Sequence, residues 1–148
     1  MSEIADGKIT RKSRVSASSA GENLVLSELL KRGFDARVGR REHEVLVRVG
    51  DRRPAAIQVK AAHSPPWYVR SASLLGAHAD DVRVLALLGI EKTKKPARFF
   101  VAKNSDLAAQ FRRPASWKDI REPSNRRAYG YIDFNLAEKY EDNWDILK

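Results

Sequence analysis

At 148 residues, 43% apolar and 32% charged, the chain has the balance of a globular protein with a real core, which excludes a disordered polyelectrolyte. The lack of cysteine excludes disulfides and thiolate metal sites, no apolar run is long enough for a membrane-spanning helix and no apolar leader opens the chain, so a cytoplasmic location is expected. The net charge of +9 is uneven: residues 133–148 hold five acids against two bases, a net −3, which leaves +12 on the first 132.

Residues 1–15 are polar, carry Lys8, Arg11, Lys12 and Arg14, and lack periodicity; a flexible basic arm is expected there, with a single domain over 16–148. The spacing predicts a helix from Ser18 to Arg32. Ser19-Ala20-Gly21-Glu22 matches a capping box, Val25, Leu26, Leu29 and Leu30 recur at helical spacing, and Gly33 supplies the stop. Glu22 stands at the head of the apolar stripe, either as the capping partner of Ser19 or as an inward carboxylate. Glu28 falls on a solvated face.

Three short strands follow. Phe34 to Val38 leads through the basic turn Arg40-Arg41-Glu42 into Glu44 to Val49, where Glu44, Leu46 and Arg48 share one face and three valines the other. Gly50 to Pro54 is a turn into Ala55 to Ala62, so these last two strands are expected to pair antiparallel. In AAIQVKAA, Gln58 and Lys60 project from one face while Ile57, Val59 and Ala61 fill the other. Pro65-Pro66 ends the run, and a short irregular helix is expected around Ser71 to Ala77.

Val82 to Leu88 is almost continuously apolar, as in a strand buried on both faces. A lysine-rich turn over 90–96 precedes a strand from Ala97 to Ala102; Asn104-Ser105-Asp106 reads as the cap of a helix through Phe111. A basic loop from Arg112 to Arg127, a late strand over Tyr129 to Phe134 and an acidic short helix and tail from Asn135 complete the chain. Trp67, Tyr68 and Trp117 lie among basic residues, where they could stack on bases or, more ordinarily, pack in the core. His43, His63 and His78 have no zinc-ligand spacing.

The order helix, three strands, connector, two strands, helix, with GENLVLSELLKRGF, HEVLVRV and AAIQVKAA inside it, resembles the PD-(D/E)XK nuclease superfamily. The resemblance covers roughly residues 19–62, and more weakly the element order to about 112. It implies an α/β restriction-endonuclease-like fold, a central mixed β-sheet flanked by α-helices. Glu22 then matches the helix glutamate of the family, Glu44 the acid opening its second strand, and Gln58 with Lys60 its acid-or-glutamine-x-lysine pair. Two departures stand out: Glu44 replaces the usual aspartate, and Gln58 replaces an acid, as in the branch resembling Mrr-type restriction enzymes.

By resemblance, the function is a Mg²⁺- or Mn²⁺-dependent endonuclease acting on DNA more readily than RNA, with homodimerisation expected where both strands are cut. Glu44, the Gln58 side-chain oxygen, the Val59 carbonyl and Glu22 are the implied metal ligands, since Mg²⁺ takes hard oxygen donors. Lys60 is the implied group that orients a water or meets the phosphate charge. The basic pairs Arg40-Arg41, Arg52-Arg53, Arg112-Arg113 and Arg126-Arg127 fit a polyanionic partner, nucleic acid rather than membrane. Two other functions fit the same residues: a catalytically inactive nuclease-fold module that binds nucleic acid, and a protein-interaction domain whose charge only solubilises it.

Overall fold

The computed structural model describes residues 4–5, 8–9, 11–74, 76–89, 95–109 and 129–148, with side chains from residue 18 onward except at 71, 72, 77 and 129. Two-residue strands β1 (Ile4–Ala5) and β2 (Lys8–Ile9) pair antiparallel ahead of the first helix. That helix, α1, runs from Arg11 to Lys31, beginning seven residues before the expected start at Ser18. Nothing between Arg11 and Ser18 breaks a helix, and its serines, alanine and long basic residues continue one readily, so Ser19 is interior and Glu22 caps nothing. The C-terminal stop is as expected. Gly33 adopts φ +87°, its N–H reaches the Leu30 carbonyl and the Phe34 N–H reaches that of Leu29, each at 3.0 Å.

Five strands form the main sheet: β3 (Asp35–Val38), β4 (Glu44–Arg48), β5 (Ala55–Ala62), β7 (Val82–Leu87) and β8 (Arg98–Lys103), adjacent in that order. The β5–β7 pair is parallel and the others antiparallel, which makes the sheet mixed. Between β5 and β7 lies β6 (Trp67–Arg70), which pairs with β9 (Tyr129–Ile132) in a separate two-stranded ribbon. Irregular 3₁₀ turns over Ser71–Leu74 and Gly76–His78 lead from β6 to β7. Two further short helices are α2 (Asn104–Ala108) and α3 (Phe134–Ala137).

Strand alternation sends neighbouring residues into two separate cores. On one face Val25 and Leu29 of α1 pack on Val45, Val47, Ile57, Val59, Val84 and Val101. Gly21 lets the helix close on the sheet: a Cβ there would lie 2.5 Å from that of Ala61. On the other face Leu85, Phe100 and Ala102 of β7 and β8 meet Trp67, Leu74, Leu107 and Ile132, so the ribbon and α2 cover that half. Trp67 sets its ring edge against Phe100 at 5.3 Å and donates its indole N–H to the Ala86 carbonyl at 3.0 Å.

Several expectations are corrected. Leu30, placed in the apolar stripe of α1, is 53% exposed, because the face that meets the sheet is Gly21, Val25 and Leu29 at spacings of four. Asn104 caps no helix: fully buried, it accepts from Arg83 Nε at 3.0 Å and donates to the carbonyls of Ser73 and His78 at 3.2 and 2.9 Å. The acidic C-terminal segment is no loose tail. Trp144 and Leu147 enter the α1-side core, and Arg98 binds Glu141 through two hydrogen bonds of 2.7 and 2.6 Å. The Arg112–Arg127 loop with Trp117, Phe111 and most of the lysine-rich turn lie outside the described residues.

Candidate metal and phosphate site

The antiparallel β4–β5 register sets Glu44 directly opposite Gln58. Cross-strand partners project from the same face, and Lys60, two residues along β5, projects with them. This is the face that the ribbon covers over β7 and β8; no described element lies over it at β3 and β4, where Arg37, Arg40, Arg41 and Glu44 line an open cavity. Alternation along β5 and the β4–β5 register together bring three of the four expected residues to one surface.

Glu44 is the unusual member. It is only 7% exposed, yet among the described residues no side chain donates a hydrogen bond to its carboxylate or forms an ion pair with it. It lines a cavity shared with Arg37, Arg40 and Arg41, so its carboxylate is held where a cation can reach it. Space for it is kept by Gly39, the last residue before the basic turn. A Cβ on Gly39 would lie 2.6 Å from Glu44 Cγ and closer still to Oε1, while the Gly39 N–H binds the Glu44 carbonyl at 2.8 Å. Gly39 fits no phosphate-loop signature, and only the tertiary contact reveals its use.

Glu22 stands apart from the other three. It rides on α1, across the sheet, with its carboxylate Oε1 3.4 Å from His43 Nδ1. His43, at φ +60°, turns the chain from the basic loop into β4, so Glu22 meets the site one residue before Glu44. Neither histidine spacing nor composition marks His43 in the sequence; its signal is its position beside Glu44. The His43 carbonyl accepts the Val59 N–H at 2.8 Å. A strand residue directs its N–H and C=O to the same flank, so the Val59 carbonyl also faces the point where β4 begins.

Arg83 was not foreseen. Register on the other side of β5 pairs it with Gln58, so Glu44, Gln58 and Arg83 form one row across three strands. It is 8% exposed, tethered by Asn104, and burial pushes its pKa down to about 10, partly opposed by Asp81. It remains a cation at neutral pH. Of the aromatics, Trp67 is wholly buried and unable to stack on a base, whereas Tyr68 is 52% exposed beside Tyr131 on the outer face of the ribbon.

The donor set suits a hard divalent ion in chemistry: a buried carboxylate, an amide oxygen and a main-chain carbonyl. Among the described residues no three His, Asp or Glu side chains stand close enough to hold a metal by themselves, so the remaining ligands would be Gln58, Val59 or water.

A mixed central sheet with helices flanking it is the restriction-endonuclease-like fold. The same fold is found in Hjc, a Holliday junction resolvase of the archaeal hyperthermophile Archaeoglobus fulgidus: TM-score 0.52 and 17% sequence identity, over 87% of this chain and 93% of that one. No family model matches the chain. No curated protein matches it in sequence.

Proposed function

We propose that the protein is a divalent-metal-dependent endonuclease that hydrolyses phosphodiester bonds of DNA. The observation that carries this reading is the register that puts Glu44 opposite Gln58, with Lys60 beside them on one face of a fold shared with a DNA junction resolvase. Glu44, the Gln58 side-chain oxygen and the Val59 carbonyl are the residues that would hold Mg²⁺ or Mn²⁺, with Glu22 contributing from the helix side directly or through water. Bound there, the ion would supply a water of lowered pKa and offset charge on the scissile phosphate.

The chain's own residues do the rest. Glu44 is fixed by its strand in the cavity lining, so its carboxylate is already positioned to act as a ligand. Gln58 supplies a neutral oxygen where the family has an acid, which leaves the site with less negative charge. Lys60 presents a point charge on the same face, suited to orienting a water or to meeting the charge that develops on phosphate. Arg83, rigidly held in line with Gln58, adds fixed positive potential beneath the same row.

The test is incubation of purified protein with supercoiled plasmid, linear duplex and a four-way junction in Mg²⁺ or Mn²⁺, the junction included because the structural neighbour is a junction resolvase. Cleavage is expected, with Lys60→Ala lowering it by about 10²–10³-fold or more while the thermal midpoint holds. Cleavage that survives Lys60→Ala intact would refute the assignment of the site. The second reading, a nuclease-fold module that binds DNA without cutting it, is favoured by Gln58 standing in for an acid and by the lack, among the described residues, of three acidic or histidine side chains grouped to hold a metal. It predicts salt-sensitive binding to all three substrates and no cutting of any.

A further inference from the structure

Beside Glu44, at the β3 edge, Arg37, Arg40 and Arg41 share a cavity of about 320 Å³ whose remaining wall is Val38 and Leu46. Three guanidinium groups against one carboxylate leave its lining at a net +2. Other arginines in the fold find carboxylates: Arg32 meets Glu28 at 3.0 Å and Asp142 at 3.4 Å, and Arg98 meets Glu141 at 2.6 Å. Among the described residues, Arg37, Arg40 and Arg41 have no such partner, although Glu42 follows them directly and is exposed.

The local fold holds these three together. Arg37 is placed by its β3 register opposite Leu46, on the same face as Glu44. Arg40 and Arg41 lie in the turn closed at one end by the Gly39–Glu44 hydrogen bond and at the other by His43 at φ +60°. Unpaired guanidinium groups around a concave site match the geometry of phosphate, which each can bind through two parallel N–H donors.

We propose that Arg37, Arg40 and Arg41 form a phosphate subsite of the nucleic-acid strand, next to the phosphate held at Glu44, Gln58 and Lys60. This rests on the reading of that face as a nuclease site and adds a direction to it. Lys60 is on β5, Glu44 on β4 and the arginines on β3 and its turn, so the bound strand crosses the sheet strands transversely, from β5 toward the β3 edge.

The test is equilibrium binding of wild-type protein to a short duplex labelled at one 3′ end, with divalent metal removed by a chelator so that cutting plays no part, across 50 to 200 mM salt. The variant Arg37→Gln, Arg40→Gln, Arg41→Gln is expected to lose at least about tenfold in affinity, and its log K against log salt slope to flatten by about 0.9 for each phosphate it no longer neutralises. Replacing the same three by lysine restores the slope but not the full affinity, because the point charge lacks the paired donors. Lys31→Gln with Lys148→Gln, exposed lysines paired with Glu28 and Asp145 away from the cavity, leaves binding within about twofold.

Binding of the triple glutamine variant within about twofold of wild type, or an equal loss from Lys31→Gln with Lys148→Gln, overturns the subsite. Because the three arginines are exposed, the fold is expected to persist, and unchanged thermal midpoints check it; if the triple variant unfolds, Arg40→Gln alone is measured against the same criteria, scaled to a single arginine. A second arm compares duplexes with and without a 5′-phosphate: a preference for the phosphorylated end that the variant loses assigns a terminal phosphate, and equal binding of both assigns an internal one. A protein that binds through the arginines but never cuts would leave the subsite standing and remove the nuclease reading. One that cuts, with the arginine variant binding as wild type, does the reverse.

Discussion

The two halves of the main sheet are built from the same alternation but end in opposite environments. At β7 and β8 both faces are covered, by α1 on one side and by the β6–β9 ribbon with α2 on the other, and the middle four residues of each strand are buried. At β3 and β4 only the α1 side is covered by a described element; Val45 and Val47 are buried, while Leu46 and Arg48 reach the surface to differing degrees. The difference lies in what is laid over the sheet, since both halves have the same strand geometry. The covered half supplies stability. The half left open on one side, with β5 beside it, can therefore keep a carboxylate, an amide and a lysine on one face of a rigid floor, the arrangement a preorganised site requires.

That contrast has measurable edges. The largest effect is expected from Phe100→Ala, which empties the centre of the ribbon-side core and should cost about 3–5 kcal/mol in denaturant unfolding. Leu46→Ala, on the open half, should cost about 1 kcal/mol or less. Equal losses at the two positions would break the comparison. Next comes Gly39→Ala. Its new methyl must displace the Glu44 carboxylate, so Mg²⁺ or Mn²⁺ binding measured by calorimetry should weaken about tenfold with little change in unfolding midpoint. Unaltered metal affinity there would separate Glu44 from the metal.

The smallest effect concerns the covered half alone. The Arg98 guanidinium, hydrogen-bonded to Glu141, holds that carboxyl below the ordinary glutamate range, with partial burial opposing. A depressed acid adds stability that is present in full above the ordinary range and is lost as pH falls through its lowered value. Glu141→Gln should therefore lower neutral-pH stability slightly, since both groups are partly exposed, and flatten the acid-side decline by the same small amount. An acid-side profile identical to wild type would remove any role for the pair in acid stability.

Much of the open half could be read from the chain. The turn residues Gly50 to Pro54 and the valine alternation of β4 fixed a hairpin, and with it a shared face for Gln58 and Lys60. What escaped was non-local. The strand β6 is four residues long, follows two prolines, and finds its partner β9 far along the chain, so no local period announces it. The capping box misplaced the start of α1 because its residue pattern is equally at home inside a helix. Arg83 sits in an apolar run that reads only as core, yet register makes it the neighbour of Gln58.

The sequence by itself determined the strands and helix that build the sheet, and which side chains along each strand share a face, because a period of two is a property of neighbouring residues. Only the tertiary structure decided which of those faces stays open, how Gly39 makes room for Glu44, and that Arg37, Arg40 and Arg41 gather around one cavity. Those outcomes depend on elements distant in the chain coming into contact, or failing to, and no local pattern encodes them.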